Sequence, residues 1–126
     1  MYSGLTEAQV LQKMTFGQGP LIKFVYNLTG TSGPNAGNFN HDFPNEISIN
    51  ANFALGMETA NLPETVEATS FFMAITILHE FVHYGNLLTR YNVNGQETGN
   101  LFETGVFHVV ITKDNEGSFV TQFKNR

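Results

Sequence analysis

Two imidazoles and a carboxylate stand within the run His79-Glu80-Phe81-Val82-His83. Side chains four apart on an α-helix share a face, so both imidazoles can reach one cation. This is the H-E-x-x-H spacing of zinc-dependent hydrolases. Two histidines do not complete such a site. A third protein ligand must come from elsewhere, leaving a fourth position for a water whose pKa Zn2+ lowers toward ~7. Glu80 follows His79 and points about a quarter-turn away, where it can face that water without binding the metal. Its expected role is general base. Phe71, Phe72, Ile75, Ile77, Leu78, Phe81 and Val82 surround the motif, and a carboxylate among them is expensive unless it is compensated.

The third ligand decides the kind of site. In the longer metzincin pattern a Gly and a His follow the second histidine by three and six residues; here Asn86 and Thr89 occupy those positions. The remaining candidates are Glu97, Glu103, His108, Asp114 and Glu116. Glu103 is the best placed, because Leu101, Phe102, Val106 and Phe107 around it carry helical spacing and a carboxylate in that stripe has a reason if it points at a metal. Glu97 is its main rival, although the acidic first turn of the same helix also accounts for it.

The nineteen residues between His83 and Glu103 make the arrangement similar to the gluzincins, in which a Glu on a second helix completes the H-E-x-x-H site. Phe107 stands where many gluzincins carry an Asp that buttresses one histidine. Asp42, Glu97 or a backbone carbonyl are the alternatives for that supporting role. The run HEFVHYGNLL followed by ETGNLFETGVF, across residues 68 to 108, resembles the metallopeptidase toxin domains of bacterial polymorphic toxins. The shared features are a Tyr-Gly after the motif and a Gly-x-x-Phe-Glu around the presumed ligand. The resemblance implies a small zincin that cleaves proteins in a target cell. It also implies secretion or delivery at the end of a longer bacterial polypeptide, with an immunity or inhibitor protein as a candidate partner.

Composition excludes several other classes. At 126 residues and 41% hydrophobic the chain reads as one domain over 1–126, with Phe as the dominant core residue. A net charge of −5 with six scattered Lys and Arg provides no basic stripe, so nucleic acid is not expected as a partner. The absence of cysteine removes disulfides and thiolate metal sites and leaves the compartment open. The N-terminus lacks the basic and apolar regions of a signal peptide. No uninterrupted apolar run reaches the ~18 residues of a membrane span, so no membrane partner is expected.

The pattern along the chain predicts the elements that position the site. Residues 6–14 read as a short amphipathic helix with Thr6 or Ser3 as N-cap, and Leu21 to Leu28 as a strand. Gly30 to Asn40 reads as a loop, and His41 as an ordinary loop histidine. Glu46 to Phe53 alternates as a half-buried strand, which in a zincin would border the cleft and pair with extended substrate at a free edge. Asn50, Ala51 and Asn52 within it are similar to the Asn-Ala substrate-binding pair of thermolysin-like enzymes, and are the candidate substrate-binding residues. Asn61 is the expected N-cap of a long, all-round apolar helix running through the motif to Thr89 or Arg90, with Asn92 to Gly95 turning into a second helix. His108 to Thr112 reads either as an extension of that helix or as a strand, and the favoured reading is a hairpin that turns at Asp114 to Gly117 into Ser118 to Phe123. His108 and Tyr91, with Tyr84, are candidate donors to the oxyanion of a tetrahedral intermediate.

These elements add up to an α+β, minimal zincin-like domain: a small sheet packed on a central H-E-x-x-H helix, with a second helix carrying the third zinc ligand. The function that follows is hydrolysis of peptide bonds in a protein or peptide substrate. Two alternatives stay open, a non-catalytic zinc-containing module that binds peptides and a zinc hydrolase of a non-peptide amide.

Overall fold

A computed structural model describes residues 2–125; Met1 and Arg126 lie outside them. In chain order the elements are α1 (Glu7–Met14), β1 (Leu21–Val25), β2 (Thr29–Gly30), β3 (Gly33–Pro34), β4 (Gly37–Phe39), β5 (Glu46–Asn50), α2 (Ala51–Thr59), α3 (Pro63–Thr89), α4 (Thr98–Phe107) and α5 (Glu116–Lys124). Thr6 caps α1 in a reciprocal box with Gln9, which satisfies two orphan donors of the first turn.

β5 forms where alternation predicts a strand, with Ile47 and Ile49 fully buried. It is the middle strand of the order β1-β5-β4, parallel to β1 and antiparallel to β4. The strand stops at Asn50, short of the expected Phe53. Asn50 instead caps α2 by accepting from the Asn52 amide at 3.1 Å, while its own amide donates to the Asn35 carbonyl at 2.9 Å. A side chain that satisfies a helix start ends the ladder there. The segment expected as a plain loop holds the small β2-β3 pair and the edge strand β4.

α3 touches β4, β5, α2, α4 and α5, so its all-round apolarity is that of a helix enclosed by its own domain. Met73, Phe81 and Tyr84 pack with Leu5, Ile47 and Ile49 on the sheet side. Phe72 and Ile75 pack with Ile111 on the helical side. By length and composition α3 is apolar enough to cross a membrane, a property that counting uninterrupted apolar runs misses; half of that apolar window is buried within the fold. Pro63 opens the helix after Leu62, which provides no side-chain cap. The expected N-cap, Asn61, lies one residue too early.

The second helix forms as expected in α4, but the hairpin expected after it does not. The β-branched run at 109–112 has no strand partner. Ile111 is buried, and its amide donates to Glu103 Oε2 at 2.6 Å. Asn115 accepts from the Thr112 amide at 2.8 Å and donates to the Val110 carbonyl at 2.9 Å, a local turn that feeds α5. Glu116 in the first turn of α5 is buried and paired with Lys113 at 2.6 Å. The Lys113 ammonium also lies 5.7 Å and 5.8 Å from the ring centres of Phe53 and Phe72, which ties α5 to the core.

Because Ile49, like Ile47, is fully enclosed between the sheet and α3, Ile49→Ala should cost about 2–5 kcal/mol in urea unfolding. Leu21→Ala, on a residue 62% exposed, should stay within about 0.5 kcal/mol of the parent. Equal effects of the two would overturn this placing of the core.

Candidate metal centre

α3 presents His79 and His83 one turn apart, their ring centres 5.1 Å from each other. The N-terminus of α4 meets them. Glu97 is the N-cap of α4, its carboxylate accepting from the amides of Gly99 at 3.3 Å and Asn100 at 2.5 Å. Those bonds hold Glu97 Oε1 at 2.5 Å from His83 Nε2 and 3.5 Å from His79 Nε2. His79, His83 and Glu97 each offer a ligand atom, all within 4.8 Å of one another. The set of two imidazole nitrogens and one carboxylate oxygen suits a single divalent ion, whose tetrahedral ligands stand roughly 3.3–3.5 Å apart at zinc distances.

Glu103, the carboxylate expected to complete this group, lies on the other side of the same imidazole. Its Oε1 is 2.6 Å from His79 Nδ1, and its Oε2 holds the Ile111 amide. With both oxygens engaged and a side chain only 5% exposed, Glu103 does not face the cavity; the Glu97 side chain, 43% exposed, does. A ring that donates from Nδ1 to this carboxylate leaves Nε2, on the Glu97 side, as the atom available to a cation in the cavity. Gly99 lies between the two glutamates. A Cβ there would stand 2.3 Å from His79 Nε2, so only glycine lets α4 come this close.

Glu80 faces the other way, toward the edge strand β4. A Cβ at Gly37 would stand 3.1 Å from Glu80 Cγ and 3.3 Å from Oε1. Burial pushes the Glu80 carboxyl up to about 7, against the pull of His79 and of the Phe39 amide that donates to it. For His79, burial disfavours the charged form. The Glu103 hydrogen bond and the charges of Glu80, Glu97 and Glu103 outweigh it, so its pKa is raised. His83 is lowered, burial dominating over the Glu97 charge.

A cavity of about 630 Å³ opens over these groups, bordered by Gly37, Asn38, Phe39, His79, Glu80 and Glu97. His41, expected as an ordinary loop histidine, stands at its rim together with His83. The expected substrate-binding trio is elsewhere. Asn50 and Ala51 are buried in the turn from β5 into α2, and Asn52 pairs with Asn27 at 2.9 Å. Nor does β5 have a free edge, since it is paired on both sides; the free edge nearest the motif is that of β4. Of the candidate oxyanion donors, His108 is the exposed, left-handed C-cap of α4 and does not line this cavity. Tyr84 is buried against Phe39 and Phe81. Tyr91 lines a neighbouring cavity beyond His83. The residues that sequence reading passed over, Gly37 and Gly99, carry no chemistry of their own; the Gly-x-x-Phe-Glu pattern contained the second of them.

The family model for metallopeptidase toxin 3 matches residues 1–108. The chain belongs to the metallopeptidase toxin 3 family. The matched span takes in every element from α1 to α4, and hence both helices of the metal-binding group. Comparison with curated proteins gives no match, and comparison with solved structures gives none either.

The raised Glu80 pKa makes the metal-free toxin domain pH-sensitive with a defined sign. Between the ordinary carboxyl value of 4.5 and about 7 the folded chain holds a proton that the unfolded chain releases. Stability from this group is therefore complete below 4.5 and declines as pH rises to 7. His79, also raised, continues the decline above 6.5, and His83, lowered, opposes it below 6.5. In chelator, the thermal midpoint should fall across this window in the parent and much less in Glu80→Gln; parallel curves would remove Glu80 as the cause.

Proposed function

We propose that this metallopeptidase toxin domain hydrolyses peptide bonds at a zinc ion held by His79, His83 and Glu97, with Glu80 as the general base. The observation that carries this reading is the convergence of α3 and α4, which brings two imidazole nitrogens and a capped carboxylate within 4.8 Å beside a buried carboxyl of raised pKa. Zinc in such a donor set acidifies a water and polarises a carbonyl oxygen.

The remaining work falls to the chain itself. Burial holds the Glu80 carboxyl near 7 in the metal-free chain; with a cation bound beside it the carboxylate form is favoured, and it can take a proton from the attacking water and hand it to the leaving amine. Glu103 keeps the proton of His79 on Nδ1 and holds the ring against Gly99. Glu103 is thus a positioning residue, and the ligand role passes to Glu97.

An extended substrate fits along β4. The Ala36 carbonyl accepts from the Asn50 amide on the β5 side at 2.8 Å, so alternation turns Gly37 and Phe39 toward the free edge, where the Phe39 amide is taken by Glu80 and Gly37 and the Phe39 carbonyl are left for a substrate strand. Strand addition there brings a substrate backbone over Glu80 and the metal group. The non-catalytic alternative loses support here, since a binding module has no use for a buried carboxyl at an open three-ligand site, and structural zinc sites are usually closed by four protein ligands. The family's toxin designation supports protein substrates in a target cell, delivery within a longer secreted polypeptide, and a protein inhibitor that covers the cleft.

Metal content by mass spectrometry on chelator-free protein tests the ligands. Glu97→Ala should lose most of its zinc, whereas Glu103→Ala should retain a site weakened about 10- to 100-fold. The opposite ranking would return the ligand role to Glu103. Glu80→Gln should keep near one zinc per chain and lose about 10²–10⁴-fold in cleavage of quenched peptides; a fully active variant would end its assignment as base.

A further inference from the structure

Beyond His83 the metal cavity continues into a second one, of about 440 Å³, that shares His41 and His83 with it. The two differ in charge. Glu80 and Glu97 border the first, whereas the second is lined by Leu87, Asn86, Tyr91, Gln96 and Arg90 among others, with no carboxylate. In a chain of net charge −5, Arg90 is the only Lys or Arg among the described residues that lines either cavity. Among the described residues Arg90 and Lys13 have no carboxylate within ion-pair distance, whereas Lys23, Lys113 and Lys124 each have one; Lys13 lies on α1 and lines neither cavity.

The backbone of Arg90 adds a second observation. It is the C-cap of α3 at φ 54° and ψ 27°, the left-handed region where helices usually place glycine or asparagine. Its Cβ makes that conformation a strained one. A long cation thus stands at a strained position, on the rim of a cavity that opens onto the metal group.

We infer that the second cavity is a specificity subsite in which Arg90 receives a carboxylate of the substrate. The inference rests on the metallopeptidase reading above. A peptide laid along β4 and over His83 runs on into this cavity, where the planar guanidinium can accept a carboxylate in a two-point pair. That carboxylate has two sources, an Asp or Glu side chain within the substrate or the free end of its chain.

The test compares zinc-loaded parent, Arg90→Gly and Arg90→Lys on matched quenched peptides. One series exchanges Glu for Gln along the sequence, and the other exchanges a free C-terminus for an amide. The parent should favour the acidic member of one series by about tenfold or more in kcat/KM. In Arg90→Gly this ratio should collapse toward one, and Arg90→Lys should keep part of it. Glycine relaxes the left-handed backbone, so the thermal midpoint of Arg90→Gly should not fall, separating selectivity from folding. The series in which the ratio appears identifies the source of the carboxylate. No preference in the parent, or an unchanged ratio in Arg90→Gly, would overturn the inference. Should the parent cut no peptide, the hydrolase reading fails and the subsite is decided by binding of the same peptides in fluorescence anisotropy. Tighter binding of the acidic member that Arg90→Gly abolishes upholds it, and equal binding overturns it.

Discussion

The grip of α4 on the imidazole of His79 is the contact on which the arrangement of the site depends. Within seven residues α4 and its cap supply Glu97 on the Nε2 side, the bare backbone of Gly99 against the ring, and Glu103 on the Nδ1 side. An imidazole on a helix keeps rotamer freedom that a metal site must remove before binding. Here the removal is done by one neighbouring helix, and Glu103 extends it to the chain beyond through the Ile111 amide. The same carboxylate therefore orients the His79 ring and anchors the connection to α5, which explains why it is buried without being exposed to the cavity.

Glu80 carries the opposite problem. Its burial disfavours the charged form, and the edge strand compensates only in part, through the Phe39 amide. A fully compensated carboxylate would sit in the ordinary range and hold no proton at neutral pH. The partial compensation depends on Gly37, whose lack of a side chain lets β4 approach Thr76 and Glu80 and lets the cavity reach the carboxylate.

The sequence was most legible where spacing alone determines geometry. His79, Glu80 and His83 fall on one helix because i and i+4 share a face, and the α3 pattern predicts its span to within a residue or two. The choice between Glu97 and Glu103 was not legible in the same way. Both sit on α4, and helical spacing places Glu103 in the apolar stripe facing α3, which is correct. The stripe does not say which nitrogen of His79 it meets, because that depends on how closely α4 approaches, and Gly99 sets that approach. Two errors share another cause. Ser118 to Phe123 and the strand beyond Asn50 have β-compatible composition, but Asn50 uses its side chain to cap α2 and Asn115 folds the residues before α5 into a turn. Local side-chain bonds of that kind override a propensity worth ~1 kcal/mol or less. The segment 30–40 misled for a third reason, since a three-residue edge strand has no room to alternate visibly.

Sheet order then decides what the two cavities can share. Because β5 is saturated on both edges, the sheet can extend near the motif only at β4, and β4 faces Glu80. A strand added there is held by backbone groups that do not distinguish one sequence from another, so selectivity has to come from where side chains or chain ends go next. Past His83 the wall changes from carboxylates to amides and a guanidinium. A chain of net negative charge that places one unpaired cation at that end of its cleft has a field that falls off within about 8–10 Å in physiological salt. In the proposed subsite the discrimination would therefore be local to the cavity beyond His83, at the Arg90 that ends α3.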